Sequence, residues 1–155
     1  MNISRKWLSE FVDIQASDRE YDEIMTIAGQ KVETTTRLDE EIKNVKVGKV
    51  LSIVRHPNSD HMWICQIDVG EALPVQIVTG AQNVHAGDLV PAALHDSWLA
   101  GGVHITAGKL RGEDSNGMLC SIQELGLTRN DFPAACENGI WILNDEDCCV
   151  GQDIN

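Results

Sequence analysis

VKVGKVLSIVRHPNSDHMWICQIDVG, residues 45–70, is two β-prone runs joined by a turn. The first, VKVGKVLSIV, is rich in β-branched residues, and a phase slip at Gly48 predicts a β-bulge there. The second, ICQIDVG, alternates, with Cys65, Ile67 and Val69 on one face and Gln66 and Asp68 on the other. Between them, HPNSD has the residues of a turn: Pro57 fixes φ, and Asn58, Ser59 and Asp60 bond back to the local backbone. A functional reading of the same run gives Arg55 and His56 to a ligand.

Working outward, VQIVTGA, LVPAAL, VHI and GIWIL are further short strands, punctuated by GEALP, HAGD and AGG. A short helix is expected between Met118 and Gly126, where Ser121 and Glu124 form an S-x-x-E capping box and Gly126 is the stop. Five or more strands with one short helix over residues 40–151 fit a five-stranded OB-like barrel; composition alone leaves a sandwich open.

Residues 1–39 have a different texture. Ser4 is placed as an N-cap, Ile3 and Leu8 as a hydrophobic staple, and Trp7, Leu8, Phe11 and Val12 on one helical face. Ser17 and Glu20 make a second capping box, followed by Tyr21, Ile24, Met25 and Ala28 at helical spacing and Gly29 as a C-cap. KVETTTRL (31–38) is β-prone. The expected fold is mainly β with a small helical α+β segment in front. That segment is too short to bury a core alone, so Trp7, Phe11 and Tyr21 need a partner.

The 155 residues carry a formal net charge of −12, which argues against a general grip on nucleic acid, because phosphate binding is driven by Lys and Arg. RNA binding would require a local positive patch. Five cysteines without a C-x-x-C spacing predict neither a disulfide framework nor a zinc site. No apolar run is long enough to span a bilayer. The opening residues lack the apolar region of a secretory leader, and the expected location is cytoplasmic.

Three runs are candidates for chemistry. GAQNVHAGD lacks the ending of a P-loop. ALHDSWLAGG places His95, Asp96 and Ser97 side by side, where neighbours on a strand point to opposite faces and build no triad. KLRGEDSNGMLCS (109–121) is richer: Lys109 and Arg111 are expected on one face of a short strand, Glu113–Asn116 in a turn, and Gly117 where the backbone passes closely. Met118 and Cys120 then point one way, Leu119 and Ser121 the other. Two cations beside hydroxyls and a thioether suit an RNA backbone and an unstacked base; the same residues also suit a solvated edge over a core Met.

VGKVLSIVRHPNSDHMWICQIDVG, QIVTGAQNVHAGDLVPAAL, KLRGEDSNGMLCSIQELGL and GIWIL, in that order, closely resemble a tRNA-binding OB module. That module occurs in stand-alone bacterial tRNA-binding proteins, in some methionyl-tRNA synthetases, in an animal cytokine-related cofactor and in the bacterial phenylalanyl-tRNA synthetase β subunit. ISRKWLSEFVDI followed by ASDREYDEIMTIAGQKVE resembles the opening of the last. The resemblance implies the N-terminal piece of that subunit, cut at Asn155: residues 1–39 as the first half of a small discontinuous domain, 40–151 as the OB module, and 152–155 as the start of the returning chain. It further implies an α2β2 ligase that joins phenylalanine to tRNA with ATP and magnesium. The partners it implies are tRNA, the α subunit and the remainder of β, with no membrane. The resemblance also implies a catalytic site in the α subunit, so this piece is expected to be inactive alone, without a cofactor or metal of its own. Its implied role is RNA-contacting and architectural, with Lys49, Arg55, Lys109, Arg111, Ser115 and Met118 as the candidate RNA contacts. Residues 40–151 hold fifteen acidic and seven basic side chains, which predicts weak binding. A stand-alone tRNA-binding adaptor and a protein-interaction OB module are the alternatives.

Overall fold

The computed structural model describes residues 3–37, 40–136, 138–143 and 148–154, with the side chain of Lys6 left aside. Contacts divide the chain into two units, Met1–Arg37 and Leu38–Asn155.

In the first unit, Ser4 caps α1 (Arg5–Leu8) by accepting from Trp7 N. The helix stops at Leu8 instead of running through Val12, and Phe11 and Val12 follow in a turn. The expected capping box opens α2 (Asp18–Ile27), with the Ser17 and Glu20 side chains each meeting the other's backbone N–H. Gly29 adopts φ +94°, as a left-handed C-cap requires. The apolar stripe is present but uncovered: α2 has no buried residue, and Trp7, Phe11 and Ile24 are all more than half exposed. KVETTTRL forms no strand over residues 31–37; Leu38 lies outside the described residues. Its polar groups turn to α2 instead, Val32 N donating to Thr26 Oγ1 and Thr35 Oγ1 to Asp22. Strand propensity needs a partner strand, and this unit supplies none among its described residues.

The second unit is a barrel. β1 (Lys43–Arg55) pairs antiparallel with β4 (Leu89–Leu99) along its first half and with β2 (Trp63–Asp68) along its second. β2 pairs with β3 (Val75–Thr79), and β5 (Val103–Ile105) with the end of β4. β6 (Gly108–Leu110) and β7 (Glu113–Ser115) form a separate hairpin, and β8 (Gly117–Leu119) returns to pair with β4. The five barrel strands β1, β2, β3, β8 and β4 nearly close on themselves, as an OB fold does.

The main core lies inside the barrel, where Val50, Cys65, Ile67, Ile77, Val90, Ala92 and Leu119 meet. Cys65, Ile67 and Val69 are buried and Gln66 and Asp68 are not, as their alternation predicts. Gly48 does not mark a bulge. The register with β4 runs unbroken from Val45 to Lys49, and the irregularities fall at Lys43/Val45 and Val50/Ser52. The phase slip has another cause. Val47 is covered on the outside by Leu89 and Leu143, while Gly48 faces the barrel interior, where a Cβ would meet Ile67 Cγ2 at 2.4 Å. A strand buried on both faces loses its period of two.

Two other expectations change. Between Met118 and Gly126 the capping chemistry is present, with Ser121 N and Oγ bonding Glu124 and Gly126 at φ +72°, but it closes a single turn and not a helix. Among the described residues GIWIL forms one bridge, Leu143 to Leu89. Its other bonds are to a side-chain amide and a turn: Asn83 Nδ2 donates to Ile140 O, Ile140 N donates to Asn83 Oδ1, and Trp141 N donates to Cys120 O. The chain then returns along β1, where Ile154 N donates to Val45 O and Val47 N to Gln152 O.

Candidate nucleic-acid interface

The motif KLRGEDSNGMLCS does two jobs in sequence order. Residues 108–115 are the β6–β7 hairpin, whose register pairs Leu110 with Glu113 and leaves Arg111 and Gly112 as a two-residue loop. Both loop residues have positive φ, +51° and +97°, the pattern of a type I′ turn, which matches the twist of its strands. Arg111 therefore sits at the hairpin tip and not beside Lys109 on a strand, and Glu113–Ser115 are strand where a turn was expected. Lys109 is exposed, with its ammonium 3.5 Å from the cross-strand Asp114 carboxylate.

The second half of the motif closes the barrel. Ser115 is buried, accepts from Val78 N at 3.0 Å and donates to Gly117 O at 2.9 Å. Asn116 N donates to Gln76 O, and the Gln76 amide donates to Asp114 O. The hydroxyl thus serves the edge of β3 where a strand ladder would otherwise continue. An unpaired buried N–H there would cost about 1–3 kcal/mol. Ser115, expected to touch RNA, has its hydroxyl committed to this seam. Met118 is half-buried against the cluster of Ala93, Cys120 and Leu125, while Leu119 points into the barrel, the alternation the sequence predicts.

Arg55 ends β1, with its guanidinium 5.4 Å from the ring centroid of Trp63, its cross-strand partner. Trp63 is half-buried against the barrel core, and its Nε1 donates to Gln82 Oε1 at 3.2 Å. The loop after Arg55 meets the hairpin: the His56 ring bonds Leu110 O at 3.0 Å, and Asn58 Nδ2 donates to Arg111 O at 3.3 Å. HPNSD and KLRGED, joined by the His56–Leu110 bond across 54 residues, are therefore one surface, with Arg55, Lys109 and Arg111 around it. Lys49 is not part of it. It pairs with Asp68 and Leu89, six residues along β1 from Arg55, or about 20 Å of strand.

Elsewhere, Asp96 Oδ1 lies 2.7 Å from His104 Nε2, His95 Nδ1 accepts from Ala107 N, and the buried Ser97 Oγ has no hydrogen-bond partner among the described residues. These three neighbours form no triad. No three His, Cys, Asp or Glu side chains group to hold a metal among the described residues. No helix is long and apolar enough to cross a membrane among them.

Arg55, Lys109 and Arg111 share the HPNSD–KLRGED surface with Asp60, Glu113 and Asp114, and the comparison with known families bears on what it contacts. Residues 45–140 match the family model described as "Putative tRNA binding domain". The chain belongs to this tRNA-binding domain family. The match takes in both loops of the patch, though not the first unit. Over nearly its whole length the chain is 45% identical to the phenylalanine–tRNA ligase beta subunit of Clostridium acetobutylicum, covering 99% of this chain and 19% of that protein. The corresponding subunit of Staphylococcus saprophyticus is 46% identical over 94% of this chain and 18% of its own length. The chain thus spans about a fifth of the length of the curated relatives it matches. Among solved structures, the C-terminal domain of Plasmodium vivax p43 overlays 76% of this chain and 66% of its own, with 21% identity and a TM-score of 0.49.

Proposed function

We propose that this chain is the tRNA-contacting and bracing module of a phenylalanine–tRNA ligase β subunit, acting in the cytoplasm. The observation that carries the RNA role is the meeting of Arg55, Lys109 and Arg111 at one end of the barrel, inside the residues that match the domain family. Arginine offers planar, bidentate donors to phosphate, and the guanidinium over Trp63 adds a flat surface on which a base can stack. The similarity of the first unit as well as the barrel to ligase β subunits supports the placement in that enzyme. In the whole enzyme the partners would be tRNA, the remainder of β and the α subunit of an α2β2 assembly, with ATP and magnesium serving the chemistry.

With a net charge of −12, contact must be local and weak. Titrating fluorescently labelled tRNA with the chain at about 50 mM salt should give saturable binding that fades as salt is raised. No binding at that salt would overturn the RNA role and leave a module that only braces protein.

A further inference from the structure

His56 is the one histidine buried in the barrel unit, 2% exposed, and it belongs to neither the core clusters nor the cation set. Both ring nitrogens are engaged. Asn58 N–H can only donate, so Nδ1, 3.0 Å away, carries a bare lone pair. Leu110 O can only accept, so Nε2, at 3.0 Å, carries the proton. The two partners require the same neutral tautomer, and they come from the two motifs that meet at the cation patch.

The hairpin is anchored at its base by the Ser115 and Gln76 bonds, and its tip needs a tie of its own. Every residue of β6 is exposed, and each strand of the hairpin has three residues. A two-stranded hairpin of that size is marginal on its own. At its tip, His56 Nε2–H holds Leu110 O; the backbone N–H of Asn58 donates to His56 Nδ1, and the side-chain Nδ2 of the same Asn58 holds Arg111 O. Two consecutive carbonyls at the tip are thus fixed by one ring and its neighbour. We infer that His56 is a positioning residue for RNA binding: its Nε2–H donation to Leu110 holds the hairpin so that Lys109 and Arg111 stand ready beside Arg55. This rests on the tRNA reading of the patch. Without that hold the two cations lose their phosphate contacts and the counterion release that goes with them.

Two substitutions separate the two ring bonds. In His56→Gln the amide nitrogen stands near the Nε2 position and can still donate to Leu110 O. In His56→Asn the shorter side chain keeps an acceptor for Asn58 N–H and loses the reach to Leu110. A role confined to the fold of the 56–62 loop would be rescued by Asn; the positioning role is rescued by Gln. Measured against tRNA over a salt series, the Gln variant should keep the wild-type slope of log K against log salt. The Asn variant should lose roughly 1.5 from it, the share of two phosphate contacts. An Asn variant with the wild-type slope, or a Gln variant that falls as far as Asn, overturns the inference while leaving the tRNA reading intact. A wild-type chain that binds no tRNA overturns that reading, and the positioning role with it. Nitrogen NMR of the wild-type imidazole at neutral pH is independent of how the variants fold. It should show Nε2 protonated and Nδ1 bare, and the opposite tautomer overturns the latch.

Discussion

Gly117→Ala should lower the melting temperature of the barrel by about 10 °C or more, a loss of at least ~3 kcal/mol. Gly117 pairs with Leu94 where β8 meets β4, and a Cβ there would lie 2.2 Å from Ala93 O and 3.2 Å from both Ala93 C and Leu94 Cα. All three neighbours are backbone, so no rotamer change relieves the clash. β8 would have to leave β4, taking Leu119 out of the core and pulling on the seam that Ser115 holds. Gly108→Ala, at the start of β6, is the control: nothing lies within 4 Å of its Cβ position, and its melting temperature should stay close to wild type. Calorimetry of the two variants checks this. A Gly117→Ala protein that melts with the wild type would mean that β8 does not close the barrel.

Alkali should destabilise the barrel by about 3 kcal/mol between pH 8 and pH 10. Burial pushes the Cys65 thiol up to about 11, and burial together with the Glu124 carboxylate pushes Cys120 up to about 12. In the unfolded chain both thiols ionise near pH 8.5–9. Above that pH the unfolded state has lost protons that the native state keeps. Unfolding therefore releases protons, and stability falls with rising pH until the native thiols themselves ionise. Denaturant titrations at pH 8, 9 and 10 measure the fall, and Cys120→Ala should remove about half of it. A flat profile, or an unchanged one in the variant, would contradict the burial of these thiols.

The parts of the fold that were legible from sequence are those whose chemistry is local. ICQIDVG alternates because β2 has one face in the core, and the Ser17–Glu20 box closes within four residues. Misreadings arose where a partner had to be supplied from afar. GIWIL bonds the Asn83 amide and meets β4 at a single bridge, and KVETTTRL bonds the side chains of α2 over its described residues. At Gly48 the pattern was real and its cause was not local, since the outer face of β1 is covered by the chain's distant end. The same division holds for the patch. The residue types in KLRGEDSNGMLCS marked it as a site, and Arg–Gly is a weak form of the turn dipeptide that puts Arg111 at the tip. The commitment of Ser115 to the barrel seam depends on Val78, 37 residues away, and the His56 tie on Leu110, 54 residues away. No spacing rule reaches that far.

The surrounding acidity restricts where RNA can be held. A barrel with fifteen acidic and seven basic residues between positions 40 and 151 can hold RNA only where cations are grouped, and the structure groups three of them. The most direct measurement is tRNA binding across a salt series for the wild type, the double variant Lys109→Ala with Arg111→Ala, and Lys49→Ala. The wild type should bind near ~10⁻⁴–10⁻⁶ M at physiological salt, with a slope no greater than about three contacts at ~0.7–0.9 each. The double variant should bind more weakly with a slope flatter by roughly 1.5, and Lys49→Ala should match the wild type. Nanomolar wild-type binding, or a double variant indistinguishable from wild type in affinity and slope, would contradict a local patch at the hairpin tip.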